Sequence, residues 1–424
     1  MERVPALAGA LKDHLRLIVL DLEDRDEPQA IFETLNAHGT PLLPADLIKN
    51  WLLWEASGQT HPLDRLYNEY WLSFDRDHEY WRKEVGTGHA ARARIDTFLQ
   101  NWLSRRCREI VPVKHLYDRF VKRTEAEVAA QGKGGQCDVP AIMADIDVNA
   151  RRFRAITHPQ GNTRFDVTLR RLATMGLVVF HPFLLGVMGR GASDQSDRDE
   201  VGATLESYLV RRMVCNSDTR GYGNLCMTLL ETLDGVAEGP VAGTIRAVLS
   251  HAGSKTIKWP DDEAFGRDWH RRPFYGNIRR ERVAMILQAI EEHYHRANGK
   301  AEPIIQFDFE KLQIEHILPQ TWQKNWPVET DEAIRLRDSK VNAIGNLTLV
   351  SDKLNPTLSN APWLDPVPGK SGKRSALNDH SMLRLNAKLV AAHPDHWDEA
   401  CIDARGEALL KVACEIWPPP DGTS

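Results

Sequence analysis

The chain has 424 residues, of which 42% are hydrophobic and 27% charged, values that are ordinary for a soluble globular protein of two or three domains. No apolar run approaches the roughly 20 residues that cross a bilayer, so we expect no membrane association. The net charge of −5 gives no support to general nucleic-acid affinity, so the local clustering of arginine and lysine matters more than the sum.

The first residues and the cysteines of the chain favour a cytoplasmic location. The first residues lack the charged-then-apolar build of a secretion signal. The cysteines show no C-x-x-C pair and no regular spacing, which favours a reduced, cytoplasmic protein over a disulfide or zinc framework. The six are Cys107, Cys137, Cys215, Cys226, Cys401 and Cys414.

The N-terminal part predicts one strand and two helices. Leu15–Leu22 is rich in leucine and β-branched residues and predicts a strand. Pro28–Asn36 predicts a short helix, with Gly39 at the stop position. A second helix is predicted from Pro44. Its apolar stripe consists of Leu47, Ile48, Trp51 and Leu52.

From about residue 64 to residue 294 the patterning is mostly helical. The clearest helix candidates are Ile95–Trp102, Val167–Met188 with an interruption at His181–Pro182, Val201–Val214, Leu225–Leu233 and Arg279–Tyr294. Glycine, serine and charged residues concentrate in the predicted loops, which are Gln131–Val139, Gly189–Ser196, Ser254–Asp268 and Ala297–Pro303. There is no fixed-period repeat, so the sequence predicts a helical middle section.

The last part, from about residue 304 to residue 420, changes character. Two short strand candidates surround Glu315–His316 and Gly345–Asn346. A polar loop rich in proline, glycine and serine is predicted over Pro362–Ser375. Helices are predicted at Leu383–Ala392 and Glu399–Trp417. We therefore expect a small α+β part at this end of the chain.

The strand candidates carry the residue types of a one-metal nuclease centre. Neutral His316 can take a proton from water at cytoplasmic pH. Glu315 and Asn355 can offer the hard oxygen ligands that Mg²⁺ prefers, and Asn346 can hold the loop that presents the histidine. Adjacent residues on a strand point to opposite faces, so Glu315 and His316 reach one site only through a bend, a bulge or the end of the strand.

Each motif also has an ordinary interpretation. A Glu-His pair is commonly a surface or capping pair, and Gly345–Asn346 and Asn355–Pro356 are common turn signals. The order and separation of the motifs, with Trp322 and Trp326 to pack the segment between them, favour a site. The arginine clusters are either solvated helix faces or parts of a phosphate-tracking surface. They include Arg271–Arg272 and Arg279–Arg280 with Arg282.

A resemblance to a known family rests on these motifs. The C-terminal sequence resembles the HNH-like domain of GmrSD-type, modification-dependent (type IV) restriction endonucleases. The run 31–42, with 46–50, resembles the end of the companion ParB/sulfiredoxin-like domain. The C-terminal residues concerned are Ile314–Gln320, Trp326, Ile344–Leu349, Asn355, Leu358–Asn360, Lys373–Arg374, Trp397, Ile402, Arg405, Leu409 and Ile416–Pro418. Tyr275 and Ile286–Glu291 also look similar.

The resemblance implies a metal-dependent DNA endonuclease that acts against foreign or modified DNA. It implies that His316 is the general base, that Asn346 orients the histidine loop, and that Lys373 contacts the scissile phosphate. It also implies that Glu315 and Asn355 bind Mg²⁺ or Mn²⁺. The implied fold is mainly α, with a helical bundle in the middle and a C-terminal ββα-metal (HNH-like) nuclease domain.

One departure from the family is serious. Its N-terminal domain carries an Asp-Gly-Gln-Gln-Arg motif associated with nucleotide hydrolysis, and no such run occurs here. We therefore expect the trailing half of a longer protein, or a separate N-terminal partner chain with that motif, and no NTPase activity from this chain alone. The expected domains are 1–60, the end of the ParB/sulfiredoxin-like domain; 61–300, helical; and 301–424, the nuclease. A non-catalytic DNA-binding or regulatory subunit and an RNA-cleaving toxin stay open as alternatives.

Overall fold

The computed structural model describes residue 12 and residues 42–59, 61–86, 91–191, 195–251, 257–296 and 311–420. The strand predicted at Leu15–Leu22, the helix predicted at Pro28–Asn36 and the loop predicted at Ala297–Pro303 lie outside these ranges. No helix within them is long and apolar enough to cross a membrane. All six cysteines are free thiols.

Helices dominate the described residues, as predicted. In chain order they are α1 Pro44–Gly58, α2 Leu63–Leu66, α3 Leu72–Arg76, α4 His78–Trp81, α5 Arg94–Cys107, α6 Leu116–Ala130, α7 Val139–Thr157, α8 Arg164–Met175, α9 His181–Gly189, α10 Gln195–Val214, α11 Tyr222–Gly235, α12 Ala242–Ser250, α13 Asp262–Arg271, α14 Arg280–Arg296, α15 Asp331–Lys340, α16 Asn355–Leu358, α17 Lys373–His380, α18 Arg384–Ala392 and α19 Glu399–Ile416. A π-helical turn spans Tyr67–Trp71, and 3₁₀ turns include Ile344–Asn346.

Four short strands form two antiparallel pairs among the described residues. The first pair is β1 Glu84–Val85 with β2 Arg92–Ala93. The second is β3 Leu312–His316 with β4 Leu347–Ser351, in which His316 lies opposite Leu347 and Leu312 lies opposite Ser351. The strands predicted around the Glu-His and Gly-Asn motifs are thus confirmed, and they pair with each other.

The chain divides into two compact units, which are described separately. The first comprises residues 1–99 and 112–145. The apolar stripe predicted on α1 buries Ile48, Trp51 and Leu52, and the backbone N–H of Ala45 in its first turn donates to the carboxylate of Asp96 at 3.0 Å. An aromatic core made of Trp71, Phe74, Trp81 and Phe98 completes this unit.

The second unit comprises residues 100–111 and 146–424. Its central helix, α10, is buried on several sides. The wholly buried carboxylate of Glu206 on this helix accepts hydrogen bonds from Arg164, Arg171 and the indole N–H of Trp417, each at 2.6–2.7 Å. The positive charges of the two arginines hold the pKa of Glu206 at about 2 despite burial, which raises it. This ion-pair cluster ties the end of the chain to the helical core.

The C-terminal helices confirm the sequence predictions, and two loop assignments need correction. The helices predicted at Leu383–Ala392 and Glu399–Trp417 appear as α18 and α19, within one residue at each end. The loop predicted at Ser254–Asp268 is wrong from Asp262 onward, because Asp261 caps helix α13. The acidic residues that suggested a loop are the first turn of that helix.

The break predicted at His181–Pro182 is also misplaced. Helix α8 ends at Gly176, whose φ of 74° is the left-handed C-cap conformation that glycine adopts without strain. Pro182 lies in the first turn of α9, where no intrahelical partner is lost. Similarly, the polar loop predicted at Pro362–Ser375 ends where α17 begins, at Lys373.

Candidate active site

The candidate site is built on the β3–β4 ladder. Its five residue pairs run from Leu312 to His316 without a bulge, so strand alternation sends the side chains of Glu315 and His316 to opposite faces. His316 is the last residue of β3. The two side chains consequently have separate partners.

The imidazole of His316 is almost buried, with 7% of the residue exposed. Its Nε2 lies 3.1 Å from the side-chain oxygen of Asn342, which also accepts a hydrogen bond from the amide of Gln320 at 3.3 Å. The ring edge of Tyr275 packs against it, with centroids 4.6 Å apart. These contacts fix the ring and place the Nε2–H toward Asn342.

The environment keeps His316 neutral. Burial lowers the pKa of His316 to about 4. The hydrogen bond that its Nε2–H donates to Asn342 opposes this shift, and the positive charges of Lys373 and Arg280 add to it. With Nε2 protonated and bonded to Asn342, the lone pair resides on Nδ1. The ring is therefore in the protonation state that a general base requires.

Glu315 forms an ion pair with Lys373. The fully buried ammonium donates to Oε1 of Glu315 and to the backbone carbonyl of His316, both at 2.6 Å. Burial raises the pKa of Glu315 and lowers that of Lys373, against the mutual attraction of the two charges. Lys373 thereby holds both residues of the Glu-His motif. Its predicted contact with a scissile phosphate stays a prediction.

Asn346 lies directly before β4 and is wholly buried. Its oxygen accepts from the backbone N–H of Leu318 at 2.7 Å and from the indole of Trp397 at 3.1 Å. Its amide donates to the carbonyls of Leu318 and Val341, both at 2.8 Å. Both backbone groups of Leu318 are thus fixed, two residues after His316. The loop-orienting role predicted for Asn346 stays a prediction.

The residue before Asn346 has to be glycine because α19 crosses there. A Cβ on Gly345 would lie 2.1 Å from the carbonyl oxygen of Ile402. The guanidinium of Arg405, also on α19, donates to the carbonyls of Gly345 and Leu347, both at 2.7 Å. Ile402 and Arg405, two residues of the family-like C-terminal sequence, therefore hold the turn that leads into β4.

Asn355 begins α16, a single helical turn that follows β4. Its amide donates to the side-chain oxygen of Gln313 at 2.7 Å. Gln313 and Glu315 alternate onto the same face of β3. The contacts thus bring Asn355 to the Glu315 side of the ladder and place His316 with Asn342 on the other side.

The side chains on the Glu315 face fit a hard divalent cation by their chemistry. Glu315 and Asn355 contribute oxygen donors only, which Mg²⁺ and Mn²⁺ prefer. A different group among the described residues brings His396, Asp398 and Cys401 within 4.8 Å of one another. Its hydrogen bonds already explain it as a helix start, because Asp398 accepts from the backbone N–H of Cys401 and caps α19.

The sequence interpretation missed most of the surroundings of His316. Asn342 was not singled out, Gln320 was noted only as the end of the run Ile314–Gln320, and Arg280 was noted only as part of a basic cluster. Tyr275 was noted only through the family resemblance. Tyr275 and Arg280 precede His316 by more than 30 residues, so no local pattern relates them to it.

The comparison with known families finds a match in the part of the chain that contains the candidate site. Residues 259–412, less than half of the chain, match the family of GmrSD restriction endonucleases, C-terminal domain. The matched range contains all five predicted site residues, and it supports an endonuclease of a restriction system in general terms. No curated protein matches the chain.

Proposed function

We propose that this protein is a metal-dependent endonuclease of the HNH type that hydrolyses DNA phosphodiester bonds, with His316 as the general base. The observation that carries the proposal is the neutral imidazole of His316 at the end of β3, with Nε2–H held by Asn342 and the Nδ1 lone pair left to accept a proton. Removing a proton from water in this way is the task of a general base in hydrolysis.

The positioning groups support the same assignment. Asn342 fixes the tautomer of His316, and Asn346 fixes the backbone just beyond it through Leu318. Lys373 holds the Glu315 carboxylate and the His316 carbonyl from the buried side. Contact of Lys373 with a phosphate would require its ammonium to exchange one of these partners.

Glu315 and Asn355 would hold the cation, Mg²⁺ or Mn²⁺, on the face of the ladder opposite the imidazole of His316. The scissile phosphate would therefore have to reach both faces at the end of β3, where His316 is the last residue. When bound, the ion stabilises the negative charge that grows on the phosphate during hydrolysis. The Lys373 ammonium occupies one carboxylate oxygen of Glu315, and the second oxygen is the one assigned to the cation. We propose that the substrate is foreign or modified DNA in the cytoplasm.

The test is cleavage of plasmid DNA by the purified chain with Mg²⁺ or Mn²⁺, compared with EDTA. His316→Ala is expected to lower the rate by 10²–10⁴-fold, the usual contribution of a general base. His380→Ala is the matched control, because this exposed histidine lies in the same region and outside the site. Cleavage that survives His316→Ala unchanged contradicts the proposal.

Two other results would identify the alternatives. DNA binding without cleavage under every metal condition would indicate a non-catalytic DNA-binding or regulatory subunit. Cleavage of structured RNA in preference to DNA with modified cytosine would indicate a ribonuclease toxin. Both assays use the same wild-type and His316→Ala preparations.

A further inference from the structure

A cavity of about 620 Å³ lies in the second unit. It is lined by residues 175–179, by Leu209 on α10, by residues 213–223 from the end of α10 to the start of α11, and by residues 272–282. The last segment includes arginines of two of the clusters that the sequence singled out. The proposed catalytic residues do not line the cavity.

The lining of the cavity is mixed in chemistry. It contains apolar side chains, among them Leu177, Val179, Met213 and the half-exposed Val178. It also contains cations and amides. These are Arg272, Arg279, Arg282, Asn216 and Asn277. A ligand that suits both kinds of side chain needs an apolar or planar part and an anionic part.

No carboxylate lines this cavity in the part of the chain that the structure describes. Asp218, which lies between two lining residues in the sequence, pairs with Arg220. Arg272 donates instead to the backbone carbonyls of Met213 and Val214, at 2.6 and 2.9 Å. Asp268 offsets part of the charge of Arg272, and Glu281 offsets part of the charge of Arg282. The lining itself carries three arginines and no described carboxylate, so it attracts anions.

Two of the lining arginines are candidates for contact with a ligand. Arg279 is exposed, and no described carboxylate pairs with it. Arg282 donates one N–H to the carbonyl of Met175, while its Nε is buried without a hydrogen-bond partner. Guanidinium groups recognise phosphate oxygens in this way, with several N–H donors in a fixed fork.

We propose that this cavity binds a nucleotide, with its phosphate on Arg279 and Arg282 and its base against the apolar side chains of the lining. The volume is far larger than a lone phosphate requires. The side-chain amide of Asn277 in the lining offers the paired donor and acceptor that base edges accept. The side-chain oxygen of Asn216 already accepts a hydrogen bond from Arg272 at 3.2 Å.

The nucleotide would lie next to the candidate active site. Tyr275, three residues before Ile278 of the cavity lining, packs against the ring of His316. Arg280 stacks over Tyr275, with its guanidinium carbon 5.0 Å from the ring centroid. A nucleotide unit of a nucleic-acid strand and a free nucleotide from solution share the required chemistry. Binding of either one needs no catalysis. A binding assay therefore tests this inference independently of the proposed nuclease activity.

The experiment measures binding by the full chain in the absence of divalent metal. ATP and 2′-deoxyadenosine 5′-monophosphate are titrated by calorimetry, and a fluorescein-labelled 20-nucleotide single strand by anisotropy. The test variants are Arg279→Glu, which changes a lining cation, and Val178→Glu, which changes a lining apolar side chain. Arg271→Glu is the matched control, since this exposed arginine carries the same charge change and does not line the cavity.

We expect the two test variants to weaken binding at least tenfold and the control to change it less than twofold. If free nucleotide shows this pattern, the ligand comes from solution. If only the labelled strand shows it, the ligand is a nucleotide of the nucleic acid. The proposal is overturned if wild type binds neither probe, if Arg271→Glu weakens binding as much as Arg279→Glu, or if Val178→Glu has no effect. Equal melting temperatures for the variants confirm that all of them fold.

Discussion

Replacement of Lys373 by methionine tests whether the Glu-His motif depends on a buried ion pair. The ammonium of Lys373 has no exposed surface, and the side chain of Glu315 is 12% exposed. Lys373→Met keeps the length of the side chain and removes the charge, so the Glu315 carboxylate loses its partner in a largely dry site. Removal of one member of a buried pair costs about 3–5 kcal/mol of unfolding free energy.

The reverse and double substitutions complete a thermodynamic cycle. Glu315→Gln leaves a buried ammonium with the His316 carbonyl as partner and should cost about as much as Lys373→Met. The double variant buries neither charge, so its loss should be smaller than the sum of the single losses. From these values we expect a coupling energy of at least about 2 kcal/mol.

The assay is urea unfolding followed by tryptophan fluorescence, with a second ion pair as the matched control. Lys340 and Asp403 also lie 2.6 Å apart, but their side chains are 21% and 54% exposed. A pair at this exposure should couple by less than about 1 kcal/mol. A coupling energy for Glu315 and Lys373 no larger than that of the exposed pair would refute the assignment of Lys373 as a buried positioning group.

Three further predictions concern stability. Gly345→Ala places a Cβ 2.1 Å from the carbonyl of Ile402, so we expect a loss above about 3 kcal/mol in chemical denaturation, and a smaller change would contradict the close helix crossing. Burial raises the pKa of Asp96 to about 6, so the folded protein loses stability as pH rises from 4 to 7 and this carboxyl ionises. Asp96→Asn should therefore stabilise the protein by roughly 2–3 kcal/mol at pH 8 and by little at pH 4. Burial lowers the pKa of His181 to about 4, so the free energy of unfolding should fall by up to roughly 3 kcal/mol as pH falls from 6.5 to 4. His181→Phe should abolish this part of the acid sensitivity, as measured by thermal unfolding across the same pH range.

Elements with a strong local signal were predictable from the sequence. Helices α18 and α19 lie within one residue of their predicted bounds, because their apolar periodicity and their caps agree. Helix α13 was missed because its buried face consists of only Phe265 and Trp269 amid charged residues. Its burial depends on contact with α19, whose Gly406 carbonyl accepts the indole N–H of Trp269 at 3.0 Å. A contact across 137 residues leaves no local trace in the sequence.

The candidate site also has features that the sequence predicted and features that it did not. The Glu-His and Gly-Asn motifs indicated two strands, and the alternation rule already separated Glu315 from His316. The partners that decide their chemistry were not predictable. Asn342 lies 26 residues from His316 and Lys373 lies 58 from Glu315, so only the folded chain brings them together.

Two residues near the C-terminal end that belong to the family-like sequence, Trp397 and Arg405, form structural contacts. Trp397 donates to Asn346, and Arg405 donates to the carbonyls on either side of that asparagine. The burial of Arg405 lowers its pKa to about 10, which still leaves the guanidinium charged at neutral pH. The loop that follows His316 is therefore held by α19 as well as by its own strands. Substitutions in the tail should disturb the histidine loop without touching the imidazole.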